Sequence, residues 1–346
     1  MRVDNILLAV SHGFDIVESE LVHGAASGHS QRVAALCGNM GTKLGMSSGE
    51  LITLTVCALF HDCALTEWLA AGGEDSKDHC TMGQYNISTL PLPTDSTGLV
   101  TYHHERSDGS GLFGLQNIPL GAEIISLADS YDVGKPLGGF SSEILKVFDV
   151  KANNTILPEW HLPPKEAMKL GSIIGTAIDY KSKFTRCHTL GIAEKSKLMA
   201  KFYGYNDEET AKLYLAACLH DLGKLSTPTD ILEKPGTLTE KEFTIIKNHV
   251  LKTHELLEGV DPDIRHWAAG HHEKLDGKGY PFGLKADELH FNAQLMTCID
   301  IYQAVSEERP YHPARSHEQT MELMHKIVTS GAIDGNIVKD LDSVLG

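Results

Sequence analysis

Residues 271–281 read HHEKLDGKGYP, and residues 103–113 read HHERSDGSGLF. Each stretch lies downstream of a His-Asp pair that ends an apolar run, CLHDLGK at 218–224 and LFHDCAL at 59–65. The same unit, dense in metal-ligating side chains, therefore occurs twice. The second copy is complete and the first is edited.

On both sides of 271–281, apolar residues at three-to-four spacing predict a series of helices. His188 opens HTLGIAEKSKLMAKFYG. Asn206 or Asp207 caps a helix over ETAKLYLAACLHDLGK, which delivers His220 and Asp221 at its inner end. Thr239 caps TEKEFTIIKNHVLKTHELLEG, which holds His249. A helix through DIRHWAAGHHE is broken by the Gly-rich loop DGKGYPFG. The last core helix, FNAQLMTCIDIYQAVS, holds Asp300.

The first copy repeats this order with His29, His61, Asp62, His79, His103, His104 and Asp129. Each of these recurs 159 to 171 residues later, the drift that small loop-length changes give a duplicated domain. No alternating strand pattern of useful length is present. The expected fold class is all-α, with two tandem helical bundles. The expected domains are 1–140, a linker at 141–165 marked by Asn153-Asn154, Pro158, Pro163 and Pro164, and 166–346.

A chain of 346 residues is long enough for two domains of ordinary size. A net charge of −16 argues against a nucleic-acid coat. It leaves room for an anionic small molecule, because metal ions and local Lys or Arg can reverse the field inside one cleft. Seven scattered Cys without a CxxC pair read as reduced thiols. With no signal-like start and no membrane-length apolar run, the expected location is the cytoplasm, without membrane attachment.

Ten of the 19 histidines fall at the repeated positions; the other nine are read as packed, hydrogen-bonded residues. Imidazole and carboxylate suit borderline divalent metals such as Fe, Mn, Zn and Co. Five His with Asp221 bridging and Asp300 leave coordination positions for a bridging hydroxide and two phosphate oxygens. This is the layout of a two-metal hydrolase, with ions roughly 3.5–4 Å apart.

The complete second copy resembles the HD-GYP domain, a branch of the HD phosphohydrolase superfamily. His220-Asp221-Leu222-Gly223-Lys224 matches its HDxGK motif, and His271 to Pro281 matches HHExxDGxGYP. The resemblance implies a di-metal phosphodiesterase, 166–346, that hydrolyses cyclic di-GMP or 3′,3′-cGAMP to the linear dinucleotide through a metal-bridging hydroxide. By the resemblance His188, His220, Asp221 and Asp300 hold one ion, and Asp221, His249, His271 and His272 hold the other. Fe or Mn is the expected metal, with Ni, Co and Zn as alternatives.

Asp221 and Lys224 are the implied catalytic residues. Lys224, Arg309, Gly279 and Tyr280 are the implied substrate contacts, and the GYP loop is a docking place for a protein partner. Family members that bind a third ion have a Glu where this chain has Phe184, so two ions are expected. Gln303 stands where the family has a second Asp.

The first copy resembles a degenerate HD-GYP domain. Leu65 replaces the Lys, Ala64 the Gly, and Leu112-Phe113 the Tyr-Pro. It is expected to be non-catalytic, with its seven retained donors forming a second metal site. Two other readings compete: a general HD nucleotide phosphohydrolase, and a non-catalytic metal-bound signalling scaffold.

Overall fold

The computed structural model describes residues 1–21, 28–65, 76–149, 157–179, 181, 188–234, 236–307 and 314–346. It is all-α among these residues, with only isolated bridges at Arg2–His161 and Asp276–Lys285 outside helices and turns. The chain divides into two compact units, Arg2–His161 and Leu162–Gly346, Met1 clustering with the latter.

The first unit comprises α1 (Asp4–Leu21), α2 (His29–Lys43), α3 (Ser48–Leu59), α4 (Ser76–Ser88), α5 (Leu120–Asp132) and α6 (Ser142–Val147). Val33, Leu36, Cys37 and Met40 form a buried stripe on α2, which packs against α3 and α5. Ser47 and Glu50 form a reciprocal capping box that starts α3. The segment 141–165 divides between the units. Ile144, Leu157 and Trp160 are buried in the first, where Val3 N donates to Trp160 O at 2.9 Å. Pro164 already opens the first helix of the second unit.

That unit comprises α7 (Pro164–Asp179), α8 (His188–Phe202), α9 (Asp207–Leu219), α10 (Thr229–Leu232), α11 (Glu240–Leu256), α12 (Pro262–Ala269), α13 (Phe291–Ser306), α14 (His317–Thr329) and α15 (Gly335–Leu345). Asn206 with Glu209 and Thr239 with Glu242 make the capping boxes that start α9 and α11. From Leu213 to Leu219 every residue of α9 is buried, and the helix packs against α7, α8 and α12. Each fully buried leucine there contributes roughly 1.5–3 kcal/mol. The central helix is thus held on several sides, and its C-terminal end fixes His220 and Asp221.

One sequence expectation is corrected. The helix through DIRHWAAGHHE stops at Ala269, with Gly270 as its C-cap. His271 and His272 sit in the following turn, because His271 Nδ1 bonds back to Ala268 O at 2.6 Å and Glu273 N to Gly270 O at 3.0 Å. No helix among the described residues is long and apolar enough to cross a membrane.

Candidate metal centre

In the second unit the C-terminal ends of α9 and α12, the start of α8 and the sides of α11 and α13 bring all seven expected donors together. His188 Nε2 lies 3.1 Å from Asp300 Oδ1, and His220 Nε2 lies 3.1 Å from Asp221 Oδ2. His249 Nε2 lies 3.3 Å from Asp221 Oδ1 and 3.4 Å from His271 Nε2. His272 Nδ1 lies 3.8 Å from Asp300 Oδ2. His249, His271 and His272 form one group with donor atoms within 4.8 Å of one another, and His188, His220 and Asp300 form another.

Ring orientation is set from behind. His220, His249 and His271 each place Nδ1 against the carbonyl three residues back, Ala217, Ile246 and Ala268, at 2.8, 2.6 and 2.6 Å. A carbonyl only accepts, so Nδ1 must hold the proton and Nε2 turns a lone pair inward. His188 Nδ1 is held instead by Glu307 Oε1 at 3.1 Å.

Asp221 Oδ1 is buried and has no hydrogen-bond partner, though it faces these Nε2 atoms. A buried carboxylate oxygen left unpaired among converging lone pairs is costly unless a cation lies between them. The donor set therefore fits a divalent metal. Burial opposes ionisation of Asp221, but His220 and Lys224 hold its carboxyl well below the usual range. Burial also opposes a charged His188, yet Asp300 and Glu307 hold it up to about 9. Lys224 Nζ contacts Asp221 Oδ2 from the partly exposed side of the site.

The loop 273–284 is built around Glu273, which sequence reading did not single out. Its carboxylate accepts from Phe282 N at 2.7 Å and Leu284 N at 3.0 Å. Gly279 passes so close that an added Cβ would lie 2.5 Å from Glu273 Cα and 2.4 Å from Lys274 N. The loop sets the Tyr280 ring 4.9 Å from the His272 ring, with Lys247 Nζ 5.0 Å from the centroid of Tyr280. Arg309 and Phe184 lie outside the described residues.

The first unit brings its seven donors together in the same way. His29 Nε2 lies 3.4 Å from both His61 Nε2 and Asp129 Oδ1. Asp62 Oδ1 lies 3.6 Å from His79 Nε2 and 3.5 Å from His103 Nε2. His104 Nδ1 lies 3.7 Å from Asp129 Oδ2. The loop frame also survives without Tyr-Pro: Glu105 accepts from Phe113 N and from Leu115 N, and a Cβ on Gly111 would lie 2.5 Å from Glu105 Cα.

The copies differ in supporting residues. Asp132, at the place of Gln303, holds His29 Nδ1 directly at 2.7 Å. In the second unit Gln303 bonds Lys195 and Glu307, and Glu307 takes over the histidine. Gly223 of the second unit packs its backbone against His249 O and Thr253, with Gly223 N donating to Thr253 Oγ1 at 2.9 Å. The first unit has Ala64 and Gly83 at those two places, so the smallest residue has changed sides. Where Lys224 would stand there is Leu65, and Glu18 of α1 lines a small cavity with Asp62, Ser30 and Leu65. Burial, with Asp62 adding to it, pushes Glu18 up to about 7.

An HD domain model matches residues 27–134, and a second HD domain model matches residues 173–337. The chain is 26% identical over 371 residues to 3′3′-cGAMP-specific phosphodiesterase 1 of Vibrio cholerae serotype O1, covering 89% of this chain and 85% of that protein. It is 32% identical over 158 residues to the cyclic di-GMP phosphodiesterase response regulator RpfG of Xanthomonas campestris pv. campestris, covering 44% of this chain and 42% of that one. A crystal structure of a cyclic GMP-AMP-specific phosphodiesterase of V. cholerae, V-cGAP3, shares the fold, with a TM-score of 0.64, 21% identity, and coverage of 100% of this chain and 98% of that one. With both matches falling on the two copies read from the repeat, the chain belongs to the HD-domain family and carries two HD domains in tandem, the second with the HD-GYP motifs.

Proposed function

We propose that this protein is a metal-dependent phosphodiesterase that opens a cyclic dinucleotide, cyclic di-GMP or 3′,3′-cGAMP, and that the second unit performs the chemistry. The contact of Lys224 with Asp221, over a centre of seven converging donors, is the observation that supports this most. A cation beside the ligand cluster gives a phosphate a seat; the first unit has Leu65 and the Glu18 carboxyl in that region instead. The names of the V. cholerae and X. campestris relatives supply the substrate class.

His188, His220, Asp221 and Asp300 would hold one ion and Asp221, His249, His271 and His272 the other, Fe or Mn by the family resemblance. When bound, such a pair supplies Lewis acidity at the phosphoryl oxygens and an activated water. Lys224 leaves Asp221 to bind a non-bridging phosphate oxygen and stabilises the charge that grows there. The backbone carbonyls behind His220, His249 and His271 accept from Nδ1–H and fix these rings with Nε2 aimed inward, so no reorientation is needed during reaction.

The Tyr280 ring, flanked by Lys247, offers a face on which a base of the substrate stacks. Gly279 lets the loop backbone lie close to Glu273 and sets that ring in place. The bond to the 3′-oxygen breaks, water oxygen joins phosphorus, and the 3′-hydroxyl leaves with a proton, giving the linear dinucleotide.

Incubation of the purified protein with Mn or Fe and each cyclic dinucleotide, followed by separation of the nucleotides, tests this. Linear product that depends on Lys224 is expected. A metal-loaded protein that turns over neither compound would contradict the reading.

A further inference from the structure

Among the described residues, the first unit has a sulfur donor in its cluster that the second does not. Cys80 follows His79 on α4, at the place of Val250 on α11. His79, Cys80, His103 and His104 form a group in which every ligand atom lies within 4.8 Å of the others. Cys80 Sγ is 3.5 Å from His79 Nε2. Cys80 and His103 are fully buried, and His79 nearly so.

His103 points independently to a ligand. Its Nδ1 lies 2.6 Å from Val100 O, which puts the proton there and leaves Nε2 as an acceptor. That buried Nε2 has no hydrogen-bond partner and faces the cluster. Leaving it bare in the interior is unfavourable unless something electrophilic is bound.

We propose that the first unit binds a thiophilic divalent cation, zinc or cobalt, through His79, His103, His104 and the thiolate of Cys80. On binding, the thiol releases its proton to solvent and a metal–sulfur bond forms, while the three imidazoles stay neutral. Three nitrogens and one sulfur satisfy a tetrahedral ion of the structural type. The nearby Asp62 and the thiolate together match the ion's two positive charges. The sulfur separates the two units chemically. Among the described residues the second cluster offers only nitrogen and oxygen donors, which suit a harder metal. This assignment gives the first unit a reason to keep its ligands without Lys224's counterpart, and it does not depend on any turnover by the second.

The test uses the full chain, stripped of metal with a chelator and titrated with cobalt(II). Wild type is expected to develop a near-ultraviolet sulfur-to-cobalt charge-transfer band. Cys80→Val, which installs the residue of the second copy, and Cys80→Ser are expected to lose it. Cys63→Ser, which removes a thiol outside the group, is expected to keep it. X-ray absorption on the zinc-loaded wild type should show one sulfur neighbour at about 2.3 Å, absent from Cys80→Val. Cobalt bound by wild type without the band, or a band that survives both Cys80 substitutions, would overturn the proposal. A failure to hydrolyse any cyclic dinucleotide would leave these readouts unchanged, so the two proposals fail separately.

Discussion

Lys224 Nζ rests on Asp221 Oδ2, three residues along the turn that follows α9, while the corresponding place beside Asp62 is held by Leu65. Among the differences between the two clusters, this contact is the one that sets a cation beside the ligands. A charge-assisted hydrogen bond contributes roughly 1.5–3 kcal/mol. Lys224→Met should therefore lower the rate of dinucleotide cleavage about 10- to 150-fold, with metal content unchanged by elemental analysis. A loss of metal in that variant would make Lys224 a supporting residue of the ligands and not a phosphate contact.

Glu307 positions His188 through Nδ1, and the bond replaces the one that Asp132 makes to His29. Residues behind metal ligands typically change affinity about 10- to 100-fold. Glu307→Ala should weaken metal binding by that order in a competition titration. Adding Gln303→Asp, which restores the carboxylate of the first unit at the equivalent place, should recover part of the loss.

Gly279 and Gly111 occupy the same position of the two loops, each with a Cβ position 2.5 Å from the Cα of its anchoring Glu. Alanine at either site should cost about 1–3 kcal/mol through overpacking against backbone, read as a lower unfolding midpoint. Only Gly279→Ala should also reduce turnover, because Tyr280 belongs to the unit assigned the chemistry.

Metal removal should destabilise the fold. The unpaired Asp221 Oδ1 and His103 Nε2 are buried in the two units, so chelation leaves an unfavourable polar atom in each. Mass action makes a ligand at one hundred times its dissociation constant worth about 2.7 kcal/mol. Thermal unfolding with and without chelator should differ accordingly, and readdition of metal should restore the midpoint.

The ligands were legible because histidine and aspartate recur in one order at nearly fixed spacing, and because capping residues such as Asn206 and Thr239 mark helix starts locally. The supports were not. Glu307, Asp132, Glu273 and Glu105 act on groups or turns that only the folded chain brings to them, and a carboxylate has no local pattern that announces such a task. Asp179 illustrates this: it ends α7 and accepts from Thr189 Oγ1 at 2.6 Å and from Thr189 N at 3.1 Å, fixing the start of α8 beside His188. Asp15 does the same for Ser30 N at 3.1 Å beside His29. A comparison of both copies around the ligands, position by position, would have found the exchange of Asp132 for Gln303 and the intrusion of Cys80. The early end of α12 was hidden for another reason: the His271 ring competes for a backbone carbonyl that helix periodicity alone would assign to the next turn.

The most direct test of the division between the units is cyclic-dinucleotide turnover by Asp221→Ala and Asp62→Ala proteins, each assayed with the same metal as wild type. Asp221→Ala should fall at least about 100-fold, beyond the usual effect of a supporting residue, while Asp62→Ala should keep most of the wild-type rate. Equal losses in the two variants, or a larger loss in Asp62→Ala, would contradict that division.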